Sequence, residues 1–450
     1  MASNPFLNIF KVPELRKRLI FVFIAMIVYR IGSYIPVPGI NAKQLAEATK
    51  AASGEGGPMG LMDLLNLFVG GALEQFSVLA LGIMPYISAS IIMQLLQVVI
   101  PRLERLAKEE GDYGRKKIQK YTKYGTIVLC IVQAFGLLLM FKSKFAVKLA
   151  VIVPGGTGFW FTFVFIVTIT TGTMFLLWLG EQVTDRGIGN GVSILIFAGI
   201  VARLPQAVWQ TIQSSQTGEV HTLNLLIVGV IFAIVIGLVT AEQQAQRKIP
   251  VQYAKRVVGN KIVQAQSNFI PFKINPSGVI PVIFASSVMM FPSQILQMFG
   301  GDNRIIRVIL RYIAYGEPMW VALYMLLVMF FAYFYTAIQL NPAEISKQLQ
   351  KNGGFIPGIR PGPNTQQYLS KVLNRITLPG SLFLGAVAVF PTLIAKWFKI
   401  PSSLAYLMGG TSLLIMVGVA LDTVSQIESH LLVRNYPGFL KKGKIKSRRG

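Results

Sequence analysis

The sequence predicts an all-α polytopic membrane protein with ten transmembrane helices arranged as two inverted, pseudo-symmetric halves of five helices. Of its 450 residues, 53% are hydrophobic and only 14% are charged, whereas about 25% of the residues of a soluble domain are charged. Ten apolar stretches are long enough to cross a bilayer, which takes about 20 residues. They cover residues 19–36, 76–100, 121–141, 159–180, 188–208, 223–240, 279–299, 319–340, 376–398 and 403–421.

The distribution of charge predicts the orientation of these spans. An even number of spans places both termini on the same side of the membrane. If that side is the cytosol, the cytosolic segments contain most of the 43 Lys and Arg residues, as the positive-inside rule requires. The first span follows Arg16-Lys17-Arg18, contains Arg30 and has no small-residue cleavage site. We therefore expect a retained first span and cytosolic termini.

A short apolar stretch, residues 61–73, precedes the second span and is too short to cross the membrane. It contains Asp63 and Asn66 and continues into the second span through Gly70-Gly71. Irregular or half-inserted backbone is tolerated at membrane depth only where protein or a water-filled cavity surrounds it. We expect a re-entrant helix at about residues 60–70 that folds in beside a pore and closes it. The alternative is an amphipathic helix that lies on the outer leaflet.

Two pairs of similar stretches relate the spans of one half to those of the other. Residues 82–90 and 278–286 share Gly, Pro, Ile, Ala and Ser in register, and residues 191–199 resemble residues 410–418. Five spans precede the break near residue 215 and five follow it, so the odd number inverts the second half. We expect one domain at 1–212 and a second at 213–450. The alternative is that these stretches are ordinary packing faces with small residues.

The matched stretches contain isoleucine at equivalent positions and no ionisable side chain. These isoleucines are Ile87 with Ile283, and Ile196 with Ile415. A carrier of small solutes needs polar or ionisable groups at mid-depth. A ring of branched aliphatic side chains instead excludes water and ions and has no preference among substrates. The pattern therefore favours a conduit for chemically varied cargo.

The first long cytosolic loop, residues 242–275, predicts a β-hairpin. Two strand-like segments flank Gly259-Asn260, which is typical of a two-residue turn. Lys255, Arg256 and Lys261 lie near its tip. We expect a docking surface for an acidic or nucleic-acid-rich partner.

The second long cytosolic loop, residues 341–375, carries a rigidly presented arginine. A short helix is predicted from Pro342 to Gly353-Gly354, and Arg360 follows it between prolines that restrict the backbone. For both loops and for the basic tail at 441–449, the alternative is that the charges only set topology and bind anionic lipid.

The sequence contains no motif for a catalytic, metal or cofactor site. It has no nucleotide-binding loop, no paired catalytic carboxylates and no His/Cys cluster with metal-ligand spacing. Cys130 is the only cysteine, so no intrachain disulfide is possible. We expect no enzymatic activity and no cofactor.

The chain resembles the SecY family of protein-conducting channels along essentially its whole length. The motifs that carry the resemblance are Tyr29–Gly32 with Ile35–Gly39, Leu81–Ser90, Trp178–Glu181, Gly187–Gly191, Gly278–Pro281 and Gly354–Gly362. The resemblance implies a ten-helix clamshell that is hinged between spans 5 and 6. It also implies an hourglass pore closed by an aliphatic ring and an outer plug helix, and a lateral gate between spans 2 and 7.

The resemblance also implies four sets of site residues. The pore ring is Ile83, Ile87, Val192, Ile196, Ile283 and Ile415. The plug contains Leu61, Asp63, Leu64, Leu65, Asn66, Leu67, Phe68 and Gly70. The lateral gate contains Ser88, Ser90, Ile91, Gln94, Ser286, Ser287 and Met290. The partner-docking residues are Arg256 and Arg360, to which the position near the hairpin tip adds Lys255 and Lys261.

The function implied by the resemblance is translocation of unfolded polypeptides across the bacterial cytoplasmic (inner) membrane, with release of transmembrane segments sideways into lipid. The implied partners are the small membrane subunits SecE and SecG, the motor ATPase SecA, the ribosome through its rRNA, signal sequences, unfolded preproteins and membrane lipids. Two alternatives from other classes are a secondary transporter, and a membrane insertase or scaffold without a pore.

Overall fold

The computed structural model describes residues 12–40, 69–73, 75–108, 110–144, 158–217, 221–253, 256–258, 261–263, 267–299, 317–398 and 410–435. The described chain is mostly helical. Its helices are α1 (Pro13–Gly32), α2 (Met84–Val99), α3 (Pro101–Lys108), α4 (Gly111–Lys144), α5 (Phe159–Arg186), α6 (Gly191–Gln216), α7 (Thr222–Gln244), α8 (Ile280–Phe299), α9 (Pro318–Gln339), α10 (Pro342–Lys351), α11 (Pro363–Phe398) and α12 (Gly410–Asn435). Its strands are β1 (Gln246–Tyr253), β2 (Arg256–Val258), β3 (Lys261–Val263), β4 (Ser267–Lys273) and β5 (Gly354–Phe355).

Seven helices within the described ranges are long and apolar enough to cross a membrane: α4, α5, α6, α7, α9, α11 and α12. An eighth span results if α2 and α3, which are bent by 105° at their junction, are taken together. The bend lies at Ile100, whose backbone is extended because the residue before a proline, here Pro101, disfavours the helical region. The chain is therefore a multi-pass membrane protein, and the count of ten spans stays a prediction.

The described residues form two compact units. One contains the residues up to Gln206 and those from Val419, and the other contains those from Ala207 to Gly418. The boundaries between the units lie inside α6 and α12. The halves 1–212 and 213–450 stay a prediction.

In the first unit, α2 packs on α4, α4 packs on α5, and α1 also packs on α5. Phe76, Leu138, Phe165 and Ile169 form part of a buried core between these helices and the turns that precede α2. A Cβ atom at Gly172 would lie 2.0 Å from the carbonyl oxygen of Val78. Glycine is thus needed for the close approach of α5 to these turns, as is common for helix contacts in membranes.

In the second unit, α8 packs on α9, α9 packs on α11, and α7 contacts α11. The hydroxyl of the buried Tyr324 on α9 donates a hydrogen bond of 3.5 Å to the carbonyl oxygen of Val282 on α8. This order of packing, second helix on third and third on fourth, is the same as the order of α2, α4 and α5 in the first unit.

The two long loops of the second unit fold together as one small module. The antiparallel sheet has the order β4-β1-β5, and its side chains pack with α10 and the start of α11. The buried core of this module is Ile249, Val251, Phe272, Leu349, Ile356, Leu369 and Leu373. Helix α10 is capped by Asn341, whose side chain accepts a hydrogen bond of 3.1 Å from the amide of Ala343.

The predicted hairpin is confirmed by the pairing of β2 with β3, in which Val258 lies opposite Lys261. The predicted short helix is α10, and Gly353 follows it with a φ of 69°. Strand β5, which pairs with Gln252 and Tyr253 of β1, was not predicted. Two residues are too few to show a strand periodicity.

Candidate functional site

The two stretches that match in sequence have the same local structure. Gly82 and Gly278 have φ values of 55° and 60°, in a region that favours glycine. Helix α2 begins two residues after the first of them and α8 begins two residues after the second, each with proline as its second residue. Proline is favoured in the first turn because its missing N–H would have no partner there. The shared Gly and Pro therefore start both helices in the same way.

The serines of this repeat also make the same hydrogen bond. The hydroxyl of Ser90 donates to the carbonyl oxygen of Ile87 at 2.7 Å, and that of Ser286 donates to the carbonyl oxygen of Ile283 at 2.8 Å. A buried hydroxyl without a partner would be costly in an apolar region. The local bond lets each serine lie near an aliphatic surface.

The second matched pair starts two further helices against a neighbouring backbone. A Cβ atom at Gly191, the first residue of α6, would lie 1.9 Å from the carbonyl oxygen of Gly180 on α5. A Cβ atom at Gly410, the first residue of α12, would lie 2.0 Å from the carbonyl oxygen of Val387 on α11. No side chain fits at either position. Ile196 and Ile415 are each five residues beyond such a contact.

The six predicted ring residues all lie at the start of these four helices. Ile83 is the N-cap residue of α2, and the other five lie in the first two turns of α2, α6, α8 or α12. The buried members are Ile83, Ile87, Ile196 and Ile415, and the partly buried members are Val192 and Ile283. The first four in chain order belong to the first unit and the last two to the second.

The predicted gate residues lie on α2 and α8. On α2, Ser88 and Ile91 are buried, whereas Ser90 and Gln94 are partly buried. On α8, Ser286 and Ser287 are buried, and Met290 follows one turn later. The hydroxyl of Ser287 has no hydrogen-bond partner among the described residues. An unpaired buried hydroxyl costs about 1–3 kcal/mol of stability, so the packing around Ser287 on α8 is less stable than it would be with a partner.

The predicted plug residues 61–68 lie outside the described residues, but the structure describes the end of this segment. The Tyr29 hydroxyl donates to the carbonyl oxygen of Val69 at 3.0 Å. Nη1 of Arg30 donates to the carbonyl oxygen of Gly70 at 2.8 Å. Gly70 has a φ of 66°, and its Cβ atom would lie 2.8 Å from the Cα atom of Gly199. We call Tyr29, Arg30, Val69, Gly70 and Gly199 the anchor.

The sequence indicated Arg30 only as a charge inside a span and did not reveal its partner. An ionisable residue at membrane depth was the available signal, because such residues are expensive there. The guanidinium also donates to the Tyr34 hydroxyl at 2.8 Å and lies 4.8 Å from the centre of the Tyr34 ring. These hydrogen bonds and the contact with the Tyr34 ring together stabilise the charged guanidinium of Arg30.

A second polar contact in the first unit was also missed. Nζ of Lys123 on α4 lies 2.7 Å from Oε1 and 2.8 Å from Oε2 of Glu181 on α5. These residues are at the ends of two predicted spans, where other charges such as Lys120 and Asp185 lie nearby, so the sequence did not reveal the pair. The ion pair ties α4 to α5.

The predicted docking residues belong to the module of the second unit. Arg360 is exposed in a loop fastened at two points. The Ser346 hydroxyl donates to the carbonyl oxygen of Gly362 at 2.8 Å, and the Thr365 hydroxyl donates to that of Arg360 at 2.9 Å. Arg256 and Lys261 are the first residues of β2 and β3, and Lys255 lies outside the described residues.

No cluster of three His, Cys, Asp or Glu side chains that could hold a metal ion occurs within the described parts of the chain. The chemistry available at the matched helix starts is therefore steric and hydrophobic. Aliphatic side chains there can block or line a passage, and they have no group that would donate or accept a proton.

Comparison with known proteins gives a consistent result. The SecY family profile matches residues 77–424. The protein translocase subunit SecY of Escherichia coli (strain K12) is 46% identical over 435 residues, which are 96% of this chain and 95% of the relative. A solved structure described as a protein conducting channel superposes with a TM-score of 0.64 at 20% identity, covering 96% and 95% of the two chains. Sec61 in the canine ribosome-channel complex gives a TM-score of 0.60 at 20% identity, covering 96% and 95%.

Proposed function

The chain belongs to the SecY family, and on that premise we propose how it works as a protein translocase channel subunit, which is not an enzyme. It passes unfolded polypeptides across the bacterial cytoplasmic membrane and releases transmembrane segments sideways into lipid. The observation that carries this proposal is the set of four equivalent helix starts with aliphatic and no ionisable residues at their matched positions.

The proposed constriction is the ring of Ile83, Ile87, Val192, Ile196, Ile283 and Ile415. A passing polypeptide presents acidic, basic, polar and aromatic side chains in turn. A lining with fixed charges would hold some of these and repel others, whereas branched aliphatic side chains only exclude volume. Such a ring seals against ions when it is empty and yields when a chain is driven through it.

The proposed plug is the segment before Gly70, and the anchor is its fixed end. Tyr29 donates a hydrogen bond to the carbonyl oxygen of Val69, and Arg30 donates one to that of Gly70. The close approach of Gly70 to Gly199 leaves this end of the segment little room for movement. Gly70 and Gly71 both have positive φ values, so the chain turns there between the proposed plug and the residues that lead into α2.

The proposed lateral gate lies between α2 and α8. An apolar signal sequence that enters this gate gains hydrophobic burial of about 25 cal/mol per Å². Because only the open gate provides that burial, the signal sequence shifts the equilibrium toward the open state. Ser90 and Ser286, which occupy matched positions, mark the two sides of the gate.

The proposed partners supply the energy that drives translocation. No nucleotide-binding motif is present in the sequence, so the driving energy comes from the motor ATPase SecA or from the translating ribosome. Arg360, Arg256 and Lys261 are the proposed docking residues, since basic groups on a fastened loop suit an acidic or rRNA surface. The small subunits SecE and SecG complete the proposed assembly, with cytosolic termini for this chain.

The gate is tested with cysteines at Ser90 and Ser286 in a chain whose native Cys130 is replaced. Crosslinking this pair with a short reagent should block export of a preprotein by membrane vesicles, and a reducible crosslinker should permit recovery after reduction. Each single-cysteine variant serves as the control and should export normally after the same treatment. Normal export through the crosslinked pair would contradict the proposed gate.

A further inference from the structure

An open recess of about 590 Å³ lies on the second unit between α9 and α11, away from the proposed ring and gate residues. It is lined by Tyr333, Lys371, Asn374, Arg375 and Leu378. The Tyr333 hydroxyl donates a hydrogen bond of 3.4 Å to the carbonyl oxygen of Asn374. This bond joins α9 to α11 at the recess.

The recess carries two positive charges that have no acidic partner within the described part of the chain. Lys371 and Arg375 are both exposed and are four residues apart on α11. Side chains at this spacing are neighbours on a helix, and like charges at i and i+4 destabilise it slightly. An anionic ligand between them would remove that repulsion.

One side of the recess adjoins an exposed apolar surface. Leu378 and Leu382 follow Arg375 on the same face of α11 and are 49% and 41% exposed. On α9, Phe330 and Leu326 precede Tyr333 by one and two turns and are also exposed. The two helices run in opposite directions, so all four apolar side chains lie on the same side of the charges, toward the membrane interior.

The recess therefore has charges at one end and hydrocarbon at the other. Lys371 and Arg375 come just before the predicted ninth span, which begins at residue 376, so they lie at the level of the membrane surface. Tyrosine is enriched at this level because its ring is apolar and its hydroxyl is polar. We propose that the recess binds one anionic phospholipid, with its phosphate at Lys371 and Arg375 and an acyl chain along Leu378 and Leu382.

Charge complementarity decides between a lipid and other occupants. Each Lys or Arg near a membrane surface contributes about 1 kcal/mol of attraction for anionic lipid, and the exposed leucines and phenylalanine supply the matching hydrocarbon surface. A soluble phosphate would use only the charged end. The proposal uses the membrane location of the family and does not depend on the ring, plug or gate.

The test is a lipid titration of the purified full chain in detergent, followed by native mass spectrometry. Phosphatidylglycerol should bind more tightly than phosphatidylcholine of the same acyl length. The double variant Lys371→Gln/Arg375→Gln should bind phosphatidylglycerol about thirtyfold more weakly and phosphatidylcholine unchanged. Lys117→Gln/Lys120→Gln on α4 is the matched control, because these two lysines also lie beside tyrosine rings but outside the recess.

A second variant tests the apolar half of the recess. Leu378→Trp places a bulky ring in the recess, leaves both charges in place and should also weaken phosphatidylglycerol binding. Glycerol phosphate at the same concentration should not displace the lipid. The proposal is overturned if both double variants lose lipid equally, which would indicate diffuse attraction. It is also overturned if glycerol phosphate competes, or if the native mass spectra show a copurified protein bound in place of lipid.

Discussion

Arg30 and the end of the proposed plug provide each other with hydrogen-bond partners. Val69 and Gly70 lie in turns rather than in a helix. Within the turn, the Val69 carbonyl oxygen accepts a long bond of 3.5 Å from the amide of Ala72, and buried carbonyl groups need partners. A guanidinium at membrane depth equally needs acceptors. The bonds from Tyr29 and Arg30 satisfy both needs within a single group of residues.

Arg30→Met should loosen this anchor. The substitution keeps a long apolar side chain but leaves the Gly70 carbonyl oxygen without its donor, which costs about 1–3 kcal/mol. We expect greater leakage of small ions through the purified channel in vesicles, because the plug is held less firmly in the closed state. The measurement is efflux of an ion-sensitive dye.

Arg102→Met on α3 is the control for this experiment, since Arg102 is exposed and lies outside the anchor. The control should leak no more than the parent chain. If Arg30→Met also seals as well as the parent, then the hydrogen bond to Gly70 has no role in holding the plug.

At the scale of elements, a glycine precedes or begins each helix in the matched stretches. Gly82 and Gly278 turn the chain before α2 and α8, whereas Gly191 and Gly410 bring α6 and α12 against a neighbouring backbone. The sequence predicted a span over 76–100, whereas helix α2 begins only at Met84 because positive φ values at Phe76 and Gly82 turn the chain before it. The matched Gly and Pro were visible in the sequence, but the carbonyl groups that Gly191 and Gly410 approach were not. Those carbonyl groups belong to Gly180 and Val387 on the preceding helices, and a local sequence pattern does not show how closely two helix backbones approach.

Gly191→Ala and Gly410→Ala should each destabilise the protein. The added Cβ would lie within 2.0 Å of a backbone carbonyl oxygen, and overpacking typically costs about 1–3 kcal/mol. The measurement is the Tm of the purified chain in detergent, which should fall for both variants.

Gly229→Ala on α7 is the matched control, because its Cβ would meet no atom within 4 Å. Alanine is favoured over glycine in a helix by about 1 kcal/mol, so the Tm of this variant should stay the same or rise slightly. A fall as large as that of the other two variants would show that the close contacts do not set the helix starts.

The separate elements of the loop module were predictable from the sequence, but the joining of its two loops was not. The hairpin and α10 follow from local turn and helix signals and were predicted. The joining of both loops through β1 and β5 depends on pairing between Gln252 and Phe355, about a hundred residues apart. A local pattern carries no information on that pairing.

At the scale of the whole molecule, hydropathy was enough to predict a multi-pass membrane protein, because backbone groups in lipid must be satisfied within helices. The relation between the two sets of spans was predicted from Gly, Pro, Ile and Ser at equal spacing, and the structure gives Gly82 and Gly278 similar φ values of 55° and 60°. The partners of Arg30 and Lys123 were not predictable, since a single charge in a span does not reveal which neighbour it faces.

The central claim is that aliphatic side chains at the matched helix starts line the path of a moving polypeptide. The most direct test replaces Ile196, Ile415 or the lipid-exposed Ile234 of α7 with the photocrosslinking residue benzoylphenylalanine, one at a time, in vesicles that hold a preprotein arrested during export. The account predicts crosslinks from positions 196 and 415 to the same arrested chain and none from position 234. Equal crosslinking from all three positions, or crosslinks from position 234 alone, would contradict it.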